Sequence, residues 1–317
     1  MSHLDASGER VADAPSGNWV YRMLPRVLWP YAQLARWDRP IGWQLLLWPC
    51  LWSAALAAEV QAMFDDLFWP RFVWHCVLFT IGAIAMRGAG CTYNDLVDHK
   101  IDASVARTRS RPLPSRRVSR FQAKLFIVCQ ALVGLLVLVQ FNVVAIGLGV
   151  FSLVFVAIYP FAKRFTDWPQ FFLGLAFSWG AIMGWVAAFA ALSPEPLFLY
   201  AGAILWTISY DTIYAHQDKE DDALIGVRST ALLFGKRTKA WLVGIDILAV
   251  VMIATAFVFA GAAWPAWVGL ACGAGLMGWQ VVVLDIDDAD QCLRLFKSNF
   301  RFGLVLFVGL VVGIFAM

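Results

Sequence analysis

The sequence predicts an all-α polytopic membrane protein with nine transmembrane helices. Hydrophobic residues make up 61% of its 317 residues and charged residues only 15%, whereas soluble domains carry about 45–50% apolar and about 25% charged residues. Apolar runs long enough to cross about 30 Å of hydrocarbon recur along the chain. Loops rich in Lys and Arg alternate with loops that hold almost none. These three observations exclude a soluble globular enzyme.

The chain is predicted to begin with a polar, interfacial tail, residues 1–36, followed by a single membrane domain over residues 37–317. The tail has no apolar region of the length that a signal peptide needs. Its acidic residues Asp5, Glu9 and Asp13 are untypical of a mitochondrial transit peptide. We therefore expect a bacterial cell inner membrane protein.

The nine predicted spans follow the tail in order, each about 20 residues long as a membrane helix requires. They are Ile41–Val60, Phe72–Tyr93, Phe121–Gln140, Val143–Phe161, Phe171–Leu192, Leu197–Ala215, Trp241–Gly261, Trp267–Leu284 and Phe302–Met317. Because positive residues are retained in the cytoplasm, the N-terminus is placed there, which leaves almost only Arg71 in the outer loops. An odd number of spans then places the C-terminus in the periplasm.

Two of the inner loops hold much of the charge. Residues 93–120 carry ten charged side chains and residues 216–239 carry nine, out of 25 Lys and Arg and 22 Asp and Glu. The first loop contains Asn94-Asp95-x-x-Asp98-x-x-x-Asp102 followed by Arg107, Arg109 and Arg111, and the second contains Asp211-x-x-Tyr214-x-x-x-Asp218-x-x-x-Asp222 followed by Arg228. Each pattern continues the end of a predicted span, which suggests an internal repeat.

The spacing of both patterns points to a metal. Residues three and four apart share a helix face, and carboxylates stacked on one face repel each other, more strongly where the dielectric is reduced. Mg²⁺ prefers oxygen ligands and completes its shell with water and phosphate oxygens. The predicted metal ligands are Asn94, Asp98, Asp102, Asp218 and Asp222.

The arginines that follow the acidic residues indicate a phosphate substrate. Guanidinium groups bind phosphate oxygens well, so Arg107, Arg111 and Arg228 are predicted to bind a diphosphate whose charge the metal also neutralises. The predicted chemistry is ionisation of an allylic diphosphate. Arg87 lies inside the second span, seven residues before Asn94, and an ionisable residue at that depth usually faces a functional interior.

Other interpretations are less well supported. A single acidic pattern is most often a solvated loop, and the cluster of Asp285, Asp287, Asp288 and Asp290 is interpreted in that way. A cation-coupled transporter would place its carboxylates nearer the bilayer midplane. The net charge of only +3 gives no argument for nucleic acid binding.

Four segments resemble the UbiA superfamily of intramembrane aromatic prenyltransferases, and within it the branch that acts on 4-hydroxybenzoate. They are RWDRPIGWQLLLWP (36–49), MRGAGCTYNDLVDHKIDASVARTRSRPLPS (86–115), YPFAKRFTDWPQ (159–170) and YDTIYAHQDKEDDALIGVRSTALLFG (210–235). The resemblance implies a nine-helix bundle around a central cavity, with cytoplasmic cap loops that carry both acidic patterns and with an opening to membrane lipid.

The resemblance also implies substrates and roles. A polyprenyl group would pass from polyprenyl diphosphate to the ring carbon ortho to the hydroxyl of 4-hydroxybenzoate, with Mg²⁺ as cofactor. Asp95, Arg87 and Tyr214 are the predicted catalytic residues, with Asp95 assisting removal of the ring proton. Arg36, Arg87 and Arg164 are alternatives for binding the acceptor carboxylate, and Asp211 is a further predicted substrate ligand. Homogentisate and dihydroxynaphthoate stay open as alternative acceptors.

Overall fold

A computed structural model describes residues 11, 18–65, 67–104 and 108–316, and over those residues the chain contains helices and no β-strand. The predicted all-α class is therefore confirmed. The helices are α1 (Trp19–Met23), α2 (Trp29–Leu34), α3 (Ile41–Ala62), α4 (Phe68–Ser104), α5 (Arg120–Leu138), α6 (Val143–Phe165), α7 (Pro169–Phe177), α8 (Gly180–Phe189), α9 (Pro194–Ala215), α10 (Lys219–Ile225), α11 (Thr230–Phe234), α12 (Thr238–Ala260), α13 (Trp264–Val283) and α14 (Ala289–Gly313).

Within the described residues, eight helical segments are long and apolar enough to cross a membrane. They are Ile41–Ala62, Phe68–Lys100, Arg120–Leu138, Val143–Phe165, Pro169–Phe189, Thr230–Ala260, Trp264–Val283 and Ala289–Gly313. The sixth predicted span corresponds to α9, which has 22 residues but is not one of the eight. The predicted count of nine is thus not confirmed.

The last predicted span begins too late. The sequence predicts a start at Phe302, whereas α14 begins at Ala289. Charged residues in the first three turns hid this segment from a search for apolar runs. Its buried residues Cys292, Leu295 and Asn299 nevertheless lie three and four apart, as on one face of an amphipathic helix.

Local sequence explains several helix boundaries. The side-chain oxygen of Asn142 accepts a hydrogen bond from the Ala145 amide (3.0 Å), which caps the start of α6. Its side-chain nitrogen donates to the carbonyl oxygens of Val186 (2.7 Å) and Ala187 (3.2 Å) near the end of α8. Gly261 ends α12 in the left-handed region, with φ of 65°, where glycine has no steric penalty.

The chain forms two compact units, one of residues 1–44 and 81–137 and the other of residues 45–80 and 138–317. The predicted division into a tail and one membrane domain stays a prediction. In the first unit, the Phe126 ring of α5 lies edge-on to Tyr31 (5.3 Å between centroids) and Trp37 (6.5 Å). Gly88 of α4 packs directly on the Gln130 side chain of α5, where a Cβ atom would fall 1.8 Å from Gln130 Oε1.

Three buried aromatic rings pack against one another in the second unit. Trp52, Trp206 and Phe302 lie with centroids 4.9–5.7 Å apart. Both indole nitrogens are satisfied, because Trp52 Nε1 donates to the Gly303 carbonyl (2.9 Å) and Trp206 Nε1 donates to Asn299 Oδ1 (2.9 Å). A buried Trp needs such a partner to avoid the penalty of an unmade hydrogen bond.

Candidate functional site

The first acidic pattern lies in the last turns of α4, a helix of 37 residues. At 1.5 Å per residue this helix is about 55 Å long, so it extends well beyond the roughly 30 Å of hydrocarbon. Asp95, Asp98 and Asp102 are all buried, with 0%, 1% and 7% of their surface exposed, and Asn94 is half-buried. Buried carboxylates must be paired or bound to a cation.

Arg36 supplies one of the pairing cations. Its Nη2 atom lies 2.6 Å from Asp95 Oδ1, and its Nη1 donates to the Gln33 carbonyl at 2.7 Å. The residue sits just after α2 with φ of 59°, and the next amide, that of Trp37, donates back to the Ala32 carbonyl (2.9 Å). A non-glycine residue in this left-handed conformation is strained, so the turn fixes the guanidinium against the Asp95 carboxylate at some expense in backbone energy.

Arg111 supplies the second cation. Its Nη1 atom lies 3.1 and 3.2 Å from the two carboxylate oxygens of Asp102 and 3.4 Å from Asp95 Oδ1. The loop that carries it is tied to the end of α4, because Thr108 Oγ1 donates to the Asp102 carbonyl (2.9 Å) and the Arg111 amide donates to the Thr108 carbonyl (2.9 Å). The positive charge expected between the stacked carboxylates is thus present, as a guanidinium group.

Arg87, two turns earlier on α4, lies against the start of α3. A Cβ atom on Gly42 would fall 2.7 Å from Arg87 Nε, so the absence of a side chain at Gly42 leaves the room that the guanidinium occupies. Arg87 is half-buried. It lies on the same helix as Asp95 and Asp98, at a depth where an ionisable residue usually has a function.

The donor set of the first pattern fits a hard cation. Asn94, Asp98 and Asp102 offer oxygen atoms, the ligands that Mg²⁺ prefers, and Asp95 Oδ2 is a buried carboxylate oxygen for which the described atoms offer no hydrogen bond. Among the described side chains, however, no three His, Cys, Asp or Glu residues are gathered closely enough to hold a metal. The residue types therefore suit the ion, while Arg111 Nη1 holds both carboxylate oxygens of Asp102 in this structure.

The second acidic pattern does not form one continuous helix. Asp211 and Tyr214 lie near the end of α9, but that helix stops at Ala215, and Asp218 is the residue before the short helix α10, which carries Asp222. The prediction from their spacing that these four residues share one helix face is therefore wrong. The chain turns at residues 216–218 instead, and contacts of His216 and Lys219 with residues distant in sequence hold that turn.

Those contacts hold the turn on two sides. His216 Nε2 is 3.1 Å from Thr238 Oγ1 at the start of α12, and Lys219 Nζ donates to the Ile286 carbonyl (3.0 Å) and to the Asp287 carboxylate. Burial lowers the pKa of His216 to about 4, so its imidazole is neutral at pH 7. The hydrogen bond from Lys219 lowers the pKa of Asp287.

The cluster of Asp285, Asp287, Asp288 and Asp290 has a local structural role. Asp287 is largely exposed, in line with a solvated loop, with 78% of its side chain accessible. Asp288 caps α14 by accepting a hydrogen bond from the Gln291 amide (2.8 Å), and the Asp287 amide donates to Asp285 Oδ1 (3.0 Å).

A buried polar chain supports the end of α9. The Thr230 amide donates to Gln170 Oε1 (3.1 Å), and the hydroxyl of Thr230 is 2.6 Å from the hydroxyl of Thr212, the residue after Asp211. Thr212 in turn donates to the Ile208 carbonyl (2.6 Å). Satisfied buried polar networks of this kind rigidify their surroundings, so Asp211 stands on a fixed segment.

Of the remaining predicted arginines, Arg228 and Arg164 have contacts around the end of α6. The Arg228 amide donates to the Lys163 carbonyl (3.2 Å), and its Nε is 3.8 Å from Asp167 Oδ1. Arg164 lies over the Phe161 ring at 5.3 Å. The structure thus joins Arg228 to the loop after α6, while Arg107 lies outside the described residues.

Two buried carboxyl groups escaped the sequence-based prediction. Glu59 in α3 is fully buried and accepts a hydrogen bond from the Ala263 amide (3.0 Å). Asp246 in α12 is 8% exposed and lies close to the Ser209 side chain of α9. Both interrupt apolar runs, and an ionisable residue within such a run is the signal that could have found them.

Comparison with protein families identifies one that matches most of the chain. The model of the UbiA prenyltransferase family matches residues 46–308. Three similar proteins are named "4-hydroxybenzoate polyprenyltransferase, mitochondrial". That of Arabidopsis thaliana is 45% identical over 297 residues, covering 93% of this chain and 71% of that protein. That of Drosophila melanogaster is 48% identical over 289 residues (90% and 71%), and that of Bos taurus is 44% identical over 296 residues (93% and 78%).

Solved structures give the same fold. A UbiA homologue from Aeropyrum pernix K1 superposes with a TM-score of 0.69 at 22% identity, covering 85% of this chain and 97% of that one. A UbiA homologue from Archaeoglobus fulgidus bound to GPP and Mg²⁺ superposes with a TM-score of 0.65 at 18% identity, covering 91% and 100%.

The prediction of a bacterial cell inner membrane is wrong, because the similar proteins above are named as mitochondrial. The compartments assigned to the two termini, cytoplasm and periplasm, lose their basis with it. The prediction relied on the acidic residues of the first 13 positions, which characterise only that short segment. They say nothing of the compartment of a membrane domain that is 44–48% identical to mitochondrial proteins.

Proposed function

The chain belongs to the UbiA prenyltransferase family, and on that basis we propose that it transfers a polyprenyl group from polyprenyl diphosphate to 4-hydroxybenzoate. The new bond forms at the ring carbon ortho to the hydroxyl and gives 3-polyprenyl-4-hydroxybenzoate, a step of ubiquinone biosynthesis. The observation that carries the proposal is the 44–48% identity to 4-hydroxybenzoate polyprenyltransferases over at least 90% of the chain.

The reaction needs a leaving group, a nucleophile and a proton acceptor. The C–O bond between the allylic carbon and the diphosphate breaks, and the electron pair leaves with the diphosphate. The ring carbon, made electron-rich by the phenol oxygen, bonds to the allylic cation. A proton then leaves that carbon and the ring regains its aromaticity. We assign this proton to Asp95, whose Oδ2 accepts no hydrogen bond from the described atoms.

The proposed metal is Mg²⁺, and the chemistry that it supplies when bound is neutralisation of the diphosphate charge. In this proposal Asn94, Asp98 and Asp102 are ligands from the first pattern, and Asp218 and Asp222 are ligands from the second. Support for the metal comes from the oxygen-rich donor sets and from family members solved with bound Mg²⁺.

The arginines divide between the two substrates. Arg111, Arg228 and Arg107 are proposed to donate to diphosphate oxygens, because a guanidinium group binds phosphate through two parallel hydrogen bonds. For the acceptor carboxylate, Arg87, Arg36 and Arg164 are proposed as alternatives, and Arg36 also donates to Asp95 and the Gln33 carbonyl. Near the end of α9, Tyr214 is proposed as a catalytic residue and Asp211 as a further substrate ligand.

The acceptor can be tested directly. Membranes that contain the protein are supplied with one allylic diphosphate, Mg²⁺, and 4-hydroxybenzoate, homogentisate or dihydroxynaphthoate in parallel, and the lipid extract is analysed by mass spectrometry. We expect the prenylated product only with 4-hydroxybenzoate. Preferential prenylation of either other acceptor would replace the proposed substrate while leaving the reaction class intact.

A further inference from the structure

The contact between Arg111 and Asp102 means that a guanidinium group and a metal ion would compete for the same carboxylate. A single guanidinium nitrogen, Nη1, lies 3.1 and 3.2 Å from both carboxylate oxygens of Asp102. The Arg111 side chain is only 12% exposed and that of Asp102 10%, so water screens the pair weakly. A metal ion bound by Asp102 would take one of these oxygens at about 2.0–2.1 Å, and two positive groups at such short range repel each other.

The loop is built so that the side chain can move while the backbone stays. Thr108 Oγ1 donates to the Asp102 carbonyl and the Arg111 amide donates to the Thr108 carbonyl. The Ser115 hydroxyl donates to the Arg111 carbonyl at 2.6 Å. The Arg111 backbone is therefore held beside the end of α4, and only the side chain must change its partner.

We propose that Arg111 competes with the divalent metal for Asp102, so that tight metal binding requires a diphosphate to draw the guanidinium away. The proposal rests on the proposed function, because a diphosphate is the partner that replaces the carboxylates. Phosphate oxygens accept two hydrogen bonds from guanidinium, so the exchange keeps Arg111 paired while it frees Asp102. By thermodynamic linkage, diphosphate must then raise metal affinity by the same factor as metal raises diphosphate affinity.

The full chain, purified in detergent, tests this without any prenyl transfer. Free Mn²⁺ is followed by electron paramagnetic resonance during titration, with and without inorganic diphosphate. For the wild type we expect weak Mn²⁺ binding alone and binding at least about fivefold tighter with diphosphate, the lower end of typical coupling. Arg111→Gln should bind Mn²⁺ alone about fivefold more tightly than the wild type and should lose most of the response to diphosphate.

Arg117→Gln is the matched control, because it removes the same charge from the same loop. Arg117 donates to Ser115 Oγ (3.1 Å) and the Ser110 carbonyl (2.6 Å), and we expect its Mn²⁺ affinity to equal that of the wild type. If Arg117→Gln tightens Mn²⁺ binding as much as Arg111→Gln does, general loop charge explains the effect and the proposal is overturned.

Two further results keep the proposal distinct from the function. Arg111→Met is a second neutral variant that guards against a folding defect of Arg111→Gln, and both are checked by thermal unfolding. If either folded variant binds Mn²⁺ no more tightly than the wild type, while the wild type prenylates 4-hydroxybenzoate, the competition is refuted and the function stands. If Mn²⁺ and diphosphate binding are coupled as expected but 4-hydroxybenzoate is not prenylated, the proposed function is refuted and the competition stands.

Discussion

At the scale of single residues, Arg36 combines two properties that its place in the sequence could not reveal. Arg36 is one of three arginines predicted to bind the acceptor, because recognition of a carboxylate needs a cation. In the structure it adopts φ of 59° and its guanidinium bonds Asp95. The backbone angle depends on how the turn after α2 closes, and the ion pair joins positions 59 residues apart. Neither follows from local spacing.

Two substitutions separate the backbone of Arg36 from its side chain. Both Arg36→Gly and Arg36→Ala remove the guanidinium, so both should lose most of the prenylation activity. The left-handed backbone angle costs alanine roughly 1 kcal/mol and costs glycine almost nothing. We expect Arg36→Gly to be the more stable variant by about that amount in detergent unfolding experiments. Equal stability of the two would show that the turn does not strain the chain.

Asp98 and Asp218 each represent one acidic pattern. Asp98→Asn or Asp218→Asn should abolish Mg²⁺-dependent prenylation in membranes, because an amide removes the negative charge that a hard cation needs. Both proteins should remain folded and inserted. Asp65→Asn is the control, since Asp65 pairs with Arg71 (3.0 Å) at a partly exposed position. Full activity of both site variants would refute the metal assignment.

At the scale of helices, the sequence predicted a shared helix face correctly where the residues lie close together on one helix. Asn94, Asp98 and Asp102 lie on one unbroken helix, as their spacing predicts. The break between α9 and α10 was not predictable, because segment 216–218 contains no Gly or Pro. That turn is held by contacts with Thr238 and Ile286, which are distant in sequence.

Close packing between α4 and α5 depends on glycine, which has no side chain, at position 88. A Cβ atom at Gly88 would lie 1.8 Å from Gln130 Oε1 and 3.0 Å from the Ala35 Cβ, whereas one at Gly90 would meet nothing within 4 Å. We expect Gly88→Ala to lower the free energy of unfolding by about 1–3 kcal/mol. Gly90→Ala should leave it nearly unchanged, and Gln130→Ala should restore much of the loss in the Gly88→Ala background. Failure of that rescue would place the clash elsewhere.

At the scale of the whole molecule, the distribution of apolar surface agrees with a protein that contacts lipid. In α5 and in α6, only 11% of an 18-residue apolar stretch is buried, and side chains such as Leu136 and Val143 are 67% and 80% exposed. Soluble monomers rarely expose contiguous apolar surface of this extent. Composition alone therefore predicted the class. It could not predict that Arg111 pairs with Asp102, because that contact requires the loop after α4 to fold back.

Removal of divalent metal tests how the charges of the whole chain are balanced. Because Arg36 and Arg111 pair with carboxylates of the first pattern, the metal-free protein keeps these charges compensated. We therefore expect EDTA to abolish prenylation while shifting the unfolding temperature by less than about 2 °C, which for a chain of this size corresponds to less than about 1 kcal/mol. Mg²⁺ should restore activity, and Ca²⁺ should restore far less because it demands more ligands at longer distances. A large drop in unfolding temperature on chelation would instead assign the metal a structural role.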